Sequence, residues 1–177
     1  MAFYFANLDE RTRHLMLDEV EHDEARNELH ISPYLSGQGI RDYPQLLKDA
    51  IHDGDEETLA SALRARRRIA RTAHRRRPTG GYTIVTVPST AAEMIAYEAF
   101  NRYYIRALCR RAIEDGIEEL VVYRARPVEE PRPQSEELIE SAVDPEALLN
   151  DLRQHMGDEP KMGIPGGPNS GISVRLP

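Results

Sequence analysis

Residues 91–115 read AAEMIAYEAFNRYYIRALCRRAIED, and this stretch decides the fold of the 177-residue chain. Thr90 and Glu93 form the pattern of a capping box at its start, and Gly116 follows its last turn. Apolar residues on more than one helical face are typical of a helix buried on several sides. We therefore predict a long central helix. Its apolar residues are Met94, Ile95, Tyr97, Phe100, Tyr103, Tyr104, Ile105, Leu108 and Ile113.

The segments around this helix predict a small sheet and further helices. Residues 82–87 and 120–126 are rich in Val, Ile and Tyr, which are typical of strands. Apolar spacing in 41–52, Gly54 as a stop and Asp55 as a new cap predict a helical hairpin. Other helices are predicted at 7–23, capped by Asn7, and after the cap Asp144. We thus predict an α+β protein in which a long central helix packs on a small sheet, with a helical hairpin and an extended C-terminal arm.

The C-terminal residues 158–177 are rich in Gly and Pro and have no helical period. We predict a single α+β domain over residues 1–157 and an extended arm over 158–177. Ordering such an arm costs entropy that its few apolar residues offset poorly, so either its own domain or a neighbouring chain must hold it. Residues 172–176 are expected to add a strand to an exposed sheet edge. The predicted subunit contacts are Phe3, Tyr4, Phe5, Ile164, Ile172, Val174 and Leu176.

Composition limits the classes of protein to which the chain belongs. Its formal net charge is −7, and its single cysteine excludes an internal disulfide and a cysteine-based zinc cluster. Because Cys109 lies in the apolar helix, we predict a buried side chain rather than a reactive thiol. The apolar runs fall short of the ~18 residues that a membrane span needs, and the first residues do not resemble a secretory signal. We predict no membrane partner and a cytoplasmic location.

The densest local charge is the arginine-rich segment, residues 64–77. The guanidinium group matches phosphate oxygens, so one interpretation is nucleic-acid contact without base reading. A second is contact with an acidic protein surface of this chain or another copy, and a third is a solvated loop or insertion; helix and loop both stay open for its conformation. No aromatic residue lies inside the segment, which argues against single-strand binding. Its arginines are Arg64, Arg66, Arg67, Arg68, Arg71, Arg75, Arg76 and Arg77.

No arrangement typical of catalysis is present. The nucleophile elbow, the phosphate loop and the paired-histidine zinc motif are all missing. His14 and His22 share one helical stripe, but a separation of ~12 Å is too large for one ion. Arginines and tyrosines in 101–106 and 123–126 are interpreted as packing at the edge of the core rather than as a stacking groove. We predict no catalytic residue, no metal and no cofactor, and therefore not an enzyme.

Four segments carry a resemblance to a known group of proteins. They are FNRYYIR at 100–106 with the YRAR that follows at 123–126, PRPQSE at 131–136 and GPNSGISVRL at 167–176. The chain resembles small proteins of tailed phages and prophages for which no activity is established. The resemblance runs over most of the chain and is best from Ala91 onward, and it implies a viral context but no catalytic residue. The arginine-rich segment looks like an insertion peculiar to this member.

These observations lead to two functional hypotheses. In the first, the chain is a non-enzymatic assembly protein of a tailed-phage particle, in the head or at the head-to-tail junction. It would be a homo-oligomer that contacts other virion subunits, present in the host cytoplasm before assembly, with the arginine-rich segment facing packaged double-stranded DNA or an acidic neighbour. In the alternative, it is a regulatory nucleic-acid-binding protein outside the virion. Replacing Arg66, Arg67 and Arg68 by Ala is expected to abolish DNA binding in that alternative.

Overall fold

A computed structural model describes residues 2–167 and 170–177 of the chain. These residues form helices and small antiparallel sheets, which confirms the α+β class and the long central helix. The helices are α1 Glu10–Ala25, α2 Gly37–Asp53, α3 Glu56–Arg64, α4 Ala91–Asp115, α5 Pro133–Leu138 and α6 Pro145–Gln154; the strands are β1 Thr72–Arg76, β2 Tyr82–Thr86, β3 Leu120–Arg124, β4 Ala142–Val143 and β5 Ile172–Arg175.

Helix α4 lies at the centre of the core and begins and ends at the predicted residues. It packs against α1, α3, α6 and β5. Residues 103–109, which point in all directions around the helix axis, are each at most 2% exposed. Burial on several sides explains why the apolar residues of α4 do not follow one stripe.

The helices that follow the two predicted aspartate caps begin as expected. Asp55 accepts a hydrogen bond from the backbone N–H of Thr58 at 2.8 Å, and Asp144 accepts one from Ala147 at 2.6 Å. Each carboxylate satisfies an amide that has no partner within its helix. The hairpin of α2 and α3 is confirmed, with Gly54 after the last turn of α2.

Two other predicted caps are wrong. Helix α1 is capped by Asp9, which accepts from the backbone N–H of Thr12 at 2.9 Å. Asn7 instead accepts from the N–H of Leu176 at 2.9 Å and so helps to hold the C-terminus. Thr90 makes no side-chain cap at the start of α4.

The C-terminal segment, predicted as an extended arm, packs against the rest of the chain. Strand β5 is present as predicted, but it pairs antiparallel with β3 of its own chain, in a sheet of order β4-β3-β5. Ile164 is 2% exposed, and Ile172 and Val174 are 0% exposed. Side chains buried in this way cannot contact another subunit, which corrects the prediction for these three residues.

Gly171 makes this docking possible. Its φ is +67°, and a Cβ at this position would lie 2.3 Å from the carbonyl oxygen of Arg126. The carbonyl of Gly171 accepts from the backbone amides of Ala125 and Arg126, at 2.8 Å and 3.0 Å. A side chain would be strained and would clash, so glycine is required where the chain enters β5.

The aromatic N-terminus is also held by its own domain. Phe3 and Phe5 pack against the core, and the Phe5 ring centroid lies 4.7 Å from that of Tyr104. Leu176 is partly buried against the same core. Predicted subunit contact at these partly buried residues stays a prediction, and Tyr4, which is 73% exposed, is fully accessible for it.

We expect the C-terminal strand to be protected in an isolated monomer. Because β5 pairs with β3 in cis, the alternate amides of residues 172–175 that bond to β3 should exchange slowly in dilute solution. Hydrogen–deuterium exchange measured at low and high protein concentration checks this. Protection that appears only at high concentration would mean that a neighbouring chain holds the strand.

A buried ion network links three helices beside the aromatic core. Arg106 of α4 is 0% exposed and contacts both carboxylates of α1 that enter the core. Its guanidinium donates to Glu19 Oε2 at 2.8 Å and to Asp23 Oδ2 at 2.6 Å. Tyr103 donates to Asp23 at 2.8 Å, and Arg153 of α6 pairs with Glu19. The interpretation of Arg106 as a residue at the edge of the core is therefore corrected.

This network makes the free energy of unfolding depend on pH. Burial by itself raises the pKa of Glu19 and Asp23, but the bonds and charges of Arg106 and Arg153 outweigh it, so both values lie below the usual range. A carboxyl group whose pKa is lower in the folded than in the unfolded chain stabilises the fold at pH values above its pKa in the unfolded chain, which is near 4. We expect this stability to decrease as the pH falls from about 5 towards about 2.

Urea unfolding at several pH values checks this expectation. Glu56 acts in the opposite direction because burial raises its pKa, so its contribution to stability declines as the pH rises. The variant Glu56→Gln removes this opposing contribution to the pH dependence and therefore serves as a control. If the free energy of unfolding of this variant does not decrease in acid, the pH dependence assigned to Glu19 and Asp23 is wrong.

Two further predictions concern the single cysteine and membrane-spanning helices. Cys109 is fully buried in α4, as predicted, and burial raises the pKa of its thiol. Across residues 2–167 and 170–177, no helix is both long enough and apolar enough to cross a bilayer.

Candidate nucleic-acid interface

The second half of the arginine-rich segment is a strand of a two-stranded ribbon. Strands β1 and β2 pair antiparallel and form a sheet separate from the core sheet. We call residues 71–87 the basic ribbon. The predicted strand at 82–87 is thus confirmed for Tyr82–Thr86, whereas residues 72–76 of the arginine-rich segment form a strand and not the helix or loop that were considered.

The two faces of the basic ribbon have different surroundings. On the inner face, Ala73 and Val85 pair directly and pack with Val87 and Ala91 in a small apolar cluster. Alternation along a strand places every second side chain on the same face, so Arg75 also lies on the inner face. The inner face therefore fixes the ribbon to the domain near its base and carries positive charge towards its tip.

The outer face of the basic ribbon is exposed and has a mixed character. Tyr82 and Ile84 are each 68% exposed, although they are large and apolar. Tyr82 pairs directly with Arg76, and Ile84 pairs with His74. The rings of His74 and Tyr82 meet edge to face, with centroids 6.5 Å apart. Exposed apolar groups beside arginine are typical of a surface that contacts a partner.

Two of the eight arginines that were predicted to contact a partner bond instead to groups of their own chain. Arg68 is buried; its Nε donates to Asp42 Oδ2 at 2.7 Å and its Nη1 to the carbonyl of Ala62 at 2.7 Å. Arg64 forms an ion pair with Glu93. The prediction of partner contact is therefore corrected for Arg68, which stabilises the fold, and is weakened for Arg64.

The other six arginines are exposed, and no carboxylate within the described part of the chain lies within 4 Å of them. Of the 23 Lys and Arg residues, eight fall in the arginine-rich segment. The rest of the chain contains the other 15 together with all 30 Asp and Glu residues. No acidic residue occurs between Arg64 and Glu93. The positive charge is therefore concentrated on one projection of an acidic protein. The six residues are Arg66, Arg67, Arg71, Arg75, Arg76 and Arg77.

The base of the basic ribbon is fastened to the start of α2. The backbone N–H of Ser36 donates to the carbonyl of Arg68 at 2.7 Å, and its hydroxyl donates to the carbonyl of Arg67 at 2.7 Å. A Cβ on Gly39 would lie 2.2 Å from the Arg68 oxygen, so only glycine permits this approach. Arg66 and Arg67, at φ 53° and 56°, make the sharp turn that leads into the ribbon.

A groove runs under the inner face, between the ribbon and the loop that precedes α2. It has a volume of about 570 Å³ and is lined by Pro33 and Tyr34 of the loop and by Ala73, Arg75 and Val85 of the ribbon. The carbonyl of Tyr34 accepts from the N–H of Ala70 at 2.8 Å, which holds the loop beside the ribbon. We call this space the ribbon groove.

The sequence interpretation missed the aromatic and apolar part of this interface. No aromatic residue lies within 64–77, but the ribbon brings Tyr82 beside Arg76, and the fold brings Tyr34 to the groove. The lack of aromatic residues within 64–77 is therefore no longer an argument against binding of single-stranded nucleic acid. The signal for Tyr82 was available, because TAHRRR, PTGG and YTIVTV follow one another as strand, turn and strand. Tyr34 carried no comparable signal.

No protein-family model, curated protein or solved structure matches the chain.

Proposed function

We propose that the protein is a non-enzymatic nucleic-acid-binding protein that contacts double-stranded DNA through the basic ribbon. The observation that carries this proposal is the set of six exposed ribbon and turn arginines without a carboxylate neighbour in the described chain. Arginine matches phosphate geometry and remains charged at all relevant pH values. The proposal includes no cofactor, metal or catalytic residue.

The shape of the interface favours duplex DNA over an acidic protein surface. A two-stranded ribbon enters the major groove of B-DNA, which is about 12 Å wide. Arg75 lies on the inner face and Arg76 on the outer face, so both walls of a groove are within reach of guanidinium groups. Tyr82 and Ile84 on the outer face would contact base edges, where apolar side chains meet thymine methyl groups.

The charge distribution supports one orientation of binding. The remainder of the chain has twice as many acidic as basic residues, 30 against 15 outside the arginine-rich segment. DNA repels such a surface, so the basic ribbon would approach the duplex first. Non-specific contact with phosphate positions a protein, and base contacts then add specificity.

The virion role predicted from the sequence stays a prediction. Its main argument was an arm held by a neighbouring chain, and burial of Ile172 and Val174 in cis now accounts for that arm. Exposed Tyr4 remains a candidate for homo-oligomer contact. Mass spectrometry of purified phage particles tests whether the chain is a virion component, and both roles are compatible with contact to packaged DNA.

Binding to a blunt duplex of about 20 base pairs, measured by fluorescence anisotropy at several salt concentrations, tests the proposed function. If all six arginines contact phosphates, the logarithm of the binding constant should fall against the logarithm of salt with a slope of about −5. Absence of binding at about 50 mM salt would overturn the proposal. Binding to an acidic peptide instead of DNA would favour the protein-surface interpretation.

A further inference from the structure

Strand β2 has one edge that no other strand covers. Within residues 2–167 and 170–177, β2 pairs only with β1. Two backbone hydrogen bonds mark the ends of the ladder between these strands. The N–H of Arg77 donates to the carbonyl of Gly81 at 2.9 Å, and the N–H of Val87 donates to the carbonyl of Arg71 at 3.0 Å.

The alternation of this ladder decides which backbone groups of β2 point outward. Bonded pairs alternate with non-bonded pairs along an antiparallel ladder. Since residues 81 and 87 bond to the opposite strand, residues 83 and 85 do so too, and the N–H and C=O groups of Tyr82, Ile84 and Thr86 point to the other side. These groups make no hydrogen bond within the described part of the chain. We call them the β2 edge.

The β2 edge lacks the features that keep a sheet edge from binding other strands. Natural edges are protected by charged residues, by proline or by a covering segment. Residues 82–86 read YTIVT and contain neither a charge nor a proline, and Tyr82 and Ile84 are each 68% exposed. Strand β1 differs, because it carries Arg75 and Arg76 and the loop at Tyr34 lies beside it. The open edge of the basic ribbon is therefore the one on β2.

The same strand of a second copy matches the β2 edge along its whole length. Ile84 is the middle residue of β2, and its N–H and C=O both point outward, so a two-fold axis at Ile84 pairs the strand with itself. In this antiparallel register Ile84 bonds to the second copy's Ile84, and Tyr82 bonds to the second copy's Thr86. All outward N–H and C=O groups of both strands then have partners.

Charge favours pairing through β2 over pairing through β1. Pairing through β2 leaves the two β1 strands on the outside, three strand spacings or about 14 Å apart. Pairing through β1 would place Arg75 and Arg76 of the two copies side by side, and like charges opposite one another destabilise a sheet. Pairing through β2 also brings the exposed Ile84 side chains of the two copies into contact on the outer face.

We propose that the protein pairs with a second copy of itself through the β2 edges and forms a four-stranded antiparallel sheet when no duplex occupies the basic ribbon. The outermost strands of this sheet are about 14 Å apart before side chains are added, whereas the major groove is about 12 Å wide. A second copy and a duplex therefore compete for the basic ribbon. This competition rests on the proposed function, but the pairing itself does not.

Cross-linking of single introduced cysteines tests the pairing and its register. In Ile84→Cys the two new side chains lie opposite each other, with Cα atoms about 5.5 Å apart, which a disulfide can bridge. In the matched control Thr86→Cys, which is exposed on the same face, the Cα atoms are about 14 Å apart. We expect oxidised glutathione, at about 200 μM protein for a contact of this small size, to cross-link Ile84→Cys about tenfold faster. Cys109 is fully buried and does not interfere.

A mixture of two variants checks the register independently. Tyr82 and the second copy's Thr86 are a bonded pair in the proposed sheet, whereas each residue is far from its own counterpart. An equimolar mixture of Tyr82→Cys and Thr86→Cys should therefore form the mixed cross-linked dimer in preference to either homodimer. A statistical mixture of the three dimers would overturn the register.

The outcomes separate the pairing from the proposed function. Equal cross-linking of Ile84→Cys and Thr86→Cys, or no cross-linking of either, would overturn the pairing while duplex binding measured by anisotropy stands. Selective cross-linking of a protein that binds no duplex would support the pairing and overturn the proposed function. Saturating blunt duplex should suppress the cross-linking of Ile84→Cys, and cross-linking that persists in the bound protein would overturn the competition.

Discussion

Replacing Arg75, Arg76 and Arg77 by Gln is expected to weaken binding to duplex DNA by about 10³-fold at about 50 mM salt. Each phosphate contact releases about 0.9 counterion, which corresponds to about tenfold in affinity at this salt concentration. The slope of affinity against salt should fall by about 3. All three side chains are exposed, so the free energy of unfolding should stay within about 0.5 kcal/mol of wild type.

A matched control separates local contact from net charge. Replacing Arg11, Arg26 and Arg132 by Gln removes the same charge from exposed positions outside the ribbon. We expect this control to bind DNA nearly as wild type does. Equal losses in both triple variants would mean that overall charge, rather than the ribbon, governs binding. The triple substitution at Arg66, Arg67 and Arg68 is less suitable, because Arg68 is a buried partner of Asp42.

Replacing Arg106 by Met should lower the free energy of unfolding by about 3–5 kcal/mol. The variant leaves Glu19 and Asp23, which are 0% and 1% exposed, without their central cation. A buried carboxylate without a partner is much more costly than the loss of an ion pair in water. Domains of this kind have about 5–15 kcal/mol of stability, so much of the total is at risk. Urea denaturation measures the change.

Two controls sharpen this prediction. Arg26→Met removes an exposed ion pair with Glu28 and should change stability by less than about 1 kcal/mol. Adding Glu19→Gln and Asp23→Asn to the Arg106 variant removes the buried charges and should recover part of the loss. A variant at Arg106 that is as stable as the one at Arg26 would show that the network is not a major source of stability.

Local sequence signals predicted the central helix well but did not predict its buried arginine. Residues 91–115 contain enough information about their own helix, because apolar content and the terminal glycine act over a few residues, although the predicted cap at Thr90 is absent. The role of Arg106 depends on Glu19 and Asp23, which are 87 and 83 positions away in the chain. An arginine in an apolar helix is usually interpreted by its stem and exposed head, and only the packing of α1 on α4 changes that interpretation.

The C-terminus shows the same distinction between an element and its partner. Its strand was predictable from Ile172 and Val174, but the choice between its own sheet and a neighbour's edge was not. Backbone pairing has little sequence specificity, so the decision rests on apolar burial and on the close approach at Gly171. Burial in cis removes Ile164, Ile172 and Val174 from the predicted subunit contacts. The sequence could not show this, because apolar residues of a terminal segment have the same pattern whether they pack in cis or in trans.

The sequence predicted only part of the candidate nucleic-acid interface. A high density of arginine identified the segment, but it also obscured strand β1, since Arg and His are not strong strand formers and like charges repel. The pairing with β2 across the turn brought Tyr82 and Ile84 to the same surface.

A ¹H–¹⁵N correlation spectrum of the full chain, titrated with a blunt duplex, tests the central claim most directly because it localises the contact. The expected result is that shift changes concentrate at residues 66–86 and that strand β5 and the ion network around Arg106 keep their free-state signals. Changes spread over the acidic remainder of the chain, or no change at residues 66–86, would contradict binding through the basic ribbon.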